Sequence, residues 1–80
     1  MGMTRFEAAG VLWRNRCLLE ARREAHAVEL GAACGFTPDP KDQVAVERLE
    51  KRKAELSRSV TELSRAIEAF DVAGAALTGQ

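Results

Sequence analysis

Leu49, Leu56, Leu63, Phe70 and Leu77 recur at every seventh position, and Val46, Val60 and Ile67 each stand three residues ahead of a member of that series. Apolar residues alternating three and four apart form one stripe along an α-helix, and a stripe held over about four heptads is the signature of a coiled-coil seam. Lys53 interrupts this seam and Gly74 thins it. Small residues flank it (Ala45, Ser59, Ala66 and Ala73 on one side, Ser57 and Ser64 on the other), so another helix can approach closely. The alternating pattern of a β-strand is missing. Glu47 with Lys51 and Glu62 with Arg65 stand at intrahelical spacings away from the seam and read as a solvated face.

The partner of that seam lies upstream in the same chain. Thr4-Arg5-Phe6-Glu7 reads as a capping box, and no proline follows until Pro38. Gly10 and Gly31 are the weak positions of this stretch. Gly35-Phe36-Thr37-Pro38-Asp39-Pro40 then forbids continuation. Gly35 suits a left-handed helix end, with Phe36 folding back on the last turn. Asp39 before Pro40 reads as a cap followed by a first-turn proline, with Thr37-Pro38 as an alternative start. The expected layout is a first helix over about 4–34, a bend over 35–39, a second helix over about 40–73 and a frayed tail over 74–80. The fold class is therefore all-α: an antiparallel, coiled-coil-like two-helix hairpin forming a single domain, completed by dimerisation or by docking on a partner.

The expectation of a partner comes from the first helix, which has two apolar lines. At about 100° per residue, Phe6, Trp13, Cys17, Ala21, Ala25 and Val28 fall on one side, with Leu18 at the edge. Leu12, Leu19 and Leu30 form a second line on the opposite side, bordered by Arg5, Arg16 and Arg23, with His26 between the leucines. The single seam of the second helix can cover one line only. The expected hairpin core is Phe6, Trp13 and Cys17 against Leu49, Leu56, Val60, Leu63, Ile67 and Phe70. The expected partner-binding surface is Leu12, Arg16, Leu19, Arg23, His26 and Leu30, in which leucines beside guanidinium groups suit apolar burial combined with carboxylate recognition.

Composition strengthens that expectation. Leu, Ile, Val and Phe total only 18 of 80 residues, while Ala supplies 14. Domains this small bury a low fraction of their surface and usually need a staple or an oligomer. Cys17 and Cys34 are too far apart along one helix to bridge, so reduced thiols are expected. His26 is the only histidine and has no second ligand at metal spacing. No metal, cofactor or small-molecule substrate is expected, and the chain is read as a non-enzyme, because no nucleophile–base pair, phosphate loop or pocket-forming topology accompanies these residues.

Charge narrows the class further. Twelve basic and twelve acidic groups cancel, whereas a domain that neutralises phosphates usually carries a basic excess. Arg16, Arg22 and Arg23 on the first helix and Arg48, Lys51, Arg52 and Lys53 on the second are interleaved with Glu20, Glu24, Glu47, Glu50 and Glu55, so direct nucleic-acid contact is not expected. No stretch is apolar enough for a membrane span and no hydrophobic signal core follows Met1, so a cytoplasmic location is expected. The excess of Arg over Lys and the abundance of Ala fit a GC-rich bacterial or phage genome. In its length and its proline-containing bend the chain resembles type III secretion needle subunits and their cochaperones. That resemblance implies a filament or cochaperone hairpin and transfers no functional residue. The leading expectation is a small adaptor, inhibitor or accessory subunit, of the kind phages and plasmids encode, docking on a host protein or nucleoprotein complex. A structural homodimer forming a four-helix bundle is the alternative.

Overall fold

A computed structural model describes residues 2–79 and contains two helices, α1 (Arg5–Gly35) and α2 (Gln43–Thr78), packed side by side. The hairpin measures 62 × 20 × 15 Å. Thr4 opens α1, its hydroxyl oxygen accepting the Glu7 amide at 3.1 Å. This satisfies one of the amides that every helix start leaves without an internal acceptor.

The bend is longer than its prolines suggest. Gly35 ends α1 without entering the left-handed region, and Phe36 caps it in extended conformation, its N–H donating to the Ala33 carbonyl at 3.3 Å. Phe36 stays 62% exposed and does not fold back on the last turn. Asp39 and Pro40 form a turn, not a helix start. The Asp39 carboxylate accepts the Lys41 amide at 3.0 Å, and its carbonyl accepts the Asp42 amide at 2.9 Å. The cap of α2 is Asp42, whose side chain accepts the Ala45 amide at 3.1 Å. At the other end α2 does not stop near residue 73. It runs to Thr78 and is closed by Gly79 in the left-handed region at φ 76°. Gly74 costs a helix about 1 kcal/mol relative to Ala, but good helix formers follow it, and Leu77 is half-buried against the hairpin.

The seam expected on α2 is the seam observed. Val46, Leu49, Lys53, Leu56, Val60, Leu63, Ile67, Phe70, Gly74 and Leu77 are all at least half-buried. Leu56 and Ile67 are the two residues below a tenth of their free exposure among those described.

On α1 the two faces are exchanged relative to expectation. Phe6 is 90% exposed and Trp13 64% exposed, so neither belongs to the hairpin core, and Cys17 is only half-buried. The line turned toward α2 is Ala9, Leu12, Arg16, Leu19, Arg23, His26, Leu30 and Ala33, all half-buried. Its spacing alternates three and four without a break, and leucine or alanine shares it with polar residues that find partners on α2. The Phe6–Trp13 line includes Gly10 and Glu24 and places no large apolar side chain between Cys17 and Val28. It fills a long seam less well.

Candidate docking face

Four polar contacts cross the hairpin and set its register. Arg16 Nε donates to Asp71 Oδ1 at 2.5 Å, with Nη2 to Oδ2 at 3.4 Å. Arg23 Nη1 donates to Ser64 Oγ at 3.4 Å, His26 Nδ1 and Ser59 Oγ lie 2.6 Å apart, and Arg52 Nη2 donates to Glu29 Oε1 at 2.6 Å. One turn onward from Arg16 and one turn back from Asp71, Leu19 comes level with Ile67. Two turns beyond the Arg23–Ser64 pair, Leu30 comes level with Leu56. The two best-buried residues of α2 thus stand in the layers of Leu19 and Leu30, two of the three seam leucines of α1.

Arg16 and Arg52, each paired with a carboxylate across the hairpin, are held charged. The hydrogen bond to Asp71 raises the Arg16 guanidinium above its ordinary value, loss of hydration opposes this, and the charges of Asp71 and Glu20 add to the rise. Glu29 does the same for Arg52, with Glu55 contributing less. Arg16 also pairs with Glu20 one turn along α1. The Arg16 and Arg23 side chains, and His26, are therefore engaged by α2 in this hairpin. Residues expected to meet an outside partner instead close the chain on itself.

What remains open is the other side of α1. Phe6, Trp13 and Val28 lie along it with exposures of 90%, 64% and 68%, and Leu18 stands at its edge at 67%. Between them sit Gly10, Cys17 and Ala21. From Phe6 to Val28 the strip is about 33 Å long at 1.5 Å per residue. Arg14 and Glu24 are its charged neighbours. Trp13 also borders a shallow groove of about 350 Å³ between the helices, where Ala9, Gly74 and Ala75 leave space beside Phe70. Adding a Cβ at Gly10 or Gly74 would meet nothing within 4 Å, so neither glycine is required by packing inside the hairpin.

Both cysteines are free thiols. Among the described residues, no group of three or more His, Cys, Asp or Glu side chains could hold a metal ion, and no helix is long and apolar enough to cross a membrane. The exposed strip was legible in the sequence as one of two apolar lines. Its being the outer one was signalled only by the heptad spacing of the polar residues opposite. No family model, curated protein or solved structure matches the chain.

Proposed function

We propose that this hairpin is a non-enzymatic protein–protein interaction module, a small adaptor, inhibitor or accessory subunit, that works by docking the outer face of α1 on a protein surface. The observation that carries this reading is the exposure of Phe6, Trp13 and Val28 on a helix whose opposite face already fills the intramolecular seam. Contiguous apolar patches beyond a few hundred Å² are uncommon on monomers that stay alone, and tryptophan is enriched among residues that dominate binding energy. The partner is a protein, in a hetero-complex or as a second copy. The module acts in the cytoplasm, without a cofactor or small-molecule substrate and without direct nucleic-acid contact. Host machinery of the kind that phage- or plasmid-encoded inhibitors block is one class of target.

The test compares the wild-type chain with Phe6→Glu and Trp13→Glu, in self-association assays and in capture from the native host. Both substitutions fall on exposed positions, so circular dichroism of the variants is expected to match the wild type. Loss of association with helicity intact is the expected result. Undiminished association in both assays overturns the reading.

A further inference from the structure

We infer that the surface covering α1's outer face is a second copy of this chain, its α1 packed antiparallel to the first across that face, with Cys17 at the two-fold axis. This rests on the interaction-module reading above and names its partner. The residues of this face are arranged symmetrically about Cys17. Four positions away on either side stand Trp13 and Ala21, seven away stand Gly10 and Glu24, and eleven away stand Phe6 and Val28. Offsets of four, seven and eleven are close to whole helical turns, so all six share one face with Cys17.

A two-fold axis perpendicular to α1 at Cys17 brings each residue level with its counterpart on the opposite side of the cysteine. Trp13 then shares a layer with the second copy's Ala21, Phe6 with the second copy's Val28, and Gly10 with the second copy's Glu24. Each large ring meets a smaller side chain, and the glutamate stem has room over a glycine. Such alternation lets facing layers interdigitate. A parallel arrangement stacks Trp13 on Trp13 and Phe6 on Phe6, leaves glycine over glycine, and sets Glu24 against Glu24. Like charges directly opposed are unfavourable, whereas the antiparallel arrangement brings Glu24 within one turn of the second copy's Arg14.

Area and need agree with this. An aromatic side chain buries about 150–250 Å², so Phe6 and Trp13 at their observed exposures supply roughly 230–390 Å² per chain, to which Val28, Leu18 and the small residues add. Two copies therefore reach about the 1,000 Å² that a specific interface requires. The separate hairpin has little else to hold it, with Leu56 and Ile67 its only well-buried apolar residues among those described. A net charge of zero sets up no overall repulsion between copies. Because the docking face lies roughly opposite the intramolecular seam, the dimer is a layered array with the two α1 helices inside and the two α2 helices outside. It is not a square bundle around one shared core.

The experiment uses the full chain carrying Cys34→Ser, so that Cys17 is its one thiol. Helices packed about 8–10 Å apart can bring facing cysteines to the Cα separation of about 4.4–6.8 Å that a disulfide needs. Diamide is the oxidant: two Cys17 thiols give up two protons and two electrons, one S–S bond forms, and diamide is reduced to the hydrazine. Sedimentation equilibrium is expected to show a reversible monomer–dimer equilibrium reaching twice 8.7 kDa. Diamide is expected to convert the dimer rapidly to a covalent species. Trp13→Glu is expected to weaken dimerisation ~100-fold with monomer helicity retained, and Val28→Glu provides a second, independent disruption of the same face. A dimer that Cys17 does not link, or one indifferent to both glutamates, overturns the inference. A chain that stays monomeric at every concentration overturns it too. In that case, capture of a different protein that still depends on Trp13 leaves the interaction-module reading standing, and capture that ignores Trp13 removes both.

Discussion

Leu12 and Trp13 are consecutive residues that face different surroundings: Leu12 lies half-buried toward α2, while Trp13 is 64% exposed at the rim of the groove between the helices. A step of about 100° around one helix separates a residue that closes the fold from one that the fold leaves open.

The seam residues therefore control stability. Truncating Leu56 or Ile67 to Ala is expected to cost about 2–5 kcal/mol, because both are almost fully enclosed. Leu19→Ala, in the layer of Ile67 but less completely enclosed, costs about half as much. Urea denaturation at concentrations where the chain is monomeric checks this series, with Trp13→Ala as the control that changes stability by less than about 0.5 kcal/mol.

Polar seam positions trade stability for register. Replacing His26 by Leu adds apolar area beside Ser59 and is expected to raise the thermal midpoint, corresponding to about 1 kcal/mol. It also removes a contact that fixes the relative height of the helices. Light scattering is expected to show a broader size distribution for His26→Leu. A lowered midpoint with unchanged size would show that the His26–Ser59 contact stabilises more than it specifies.

The Arg16–Asp71 pair is an exposed one, so its contribution is sensitive to salt. Asp71→Asn is expected to lower the thermal midpoint slightly at low ionic strength and not at all in molar salt. Arg16 has its pKa raised in the folded state, first by the hydrogen bond to Asp71. A raised basic group stabilises fully below its unfolded value and loses that contribution only as pH rises through the folded one. For Arg16 this window lies in strong alkali, so thermal melts across the neutral range detect no titration of this group.

The start of α2 has its own test. Asp42→Ala removes the side chain that accepts the Ala45 amide and is expected to cost about 1 kcal/mol. Asp39→Ala removes only a turn contact and costs less. Thermal melts of the two variants compare them directly, and the reverse order would place the helix start at Asp39.

The architecture and the whole α2 seam were readable because large apolar residues occupy nearly every seam position from Val46 to Leu77. The α1 seam was not, although its spacing is equally regular. Arg16, Arg23 and His26 share it with Leu12, Leu19 and Leu30, and a line drawn through the largest rings leads instead to Phe6 and Trp13. Long arginine stems can lie in a seam when a carboxylate or hydroxyl across the interface meets the head group. Asp71 and Ser64 do so here, and only the antiparallel register reveals them. The start of α2 differs from the sequence expectation because two residues can serve as its cap. Asp39-Pro40 and Asp42 are both adequate caps in sequence, and the amide of Ala45 decides between them.

Emission from Trp13, the chain's single tryptophan, tests most directly which side of α1 the hairpin leaves open. In dilute, helical monomer the account predicts a red-shifted spectrum readily quenched by acrylamide, shifting to the blue and losing quenchability as the chain associates. A blue-shifted, quencher-resistant spectrum in that same dilute monomer would place Trp13 beneath α2 and contradict the account.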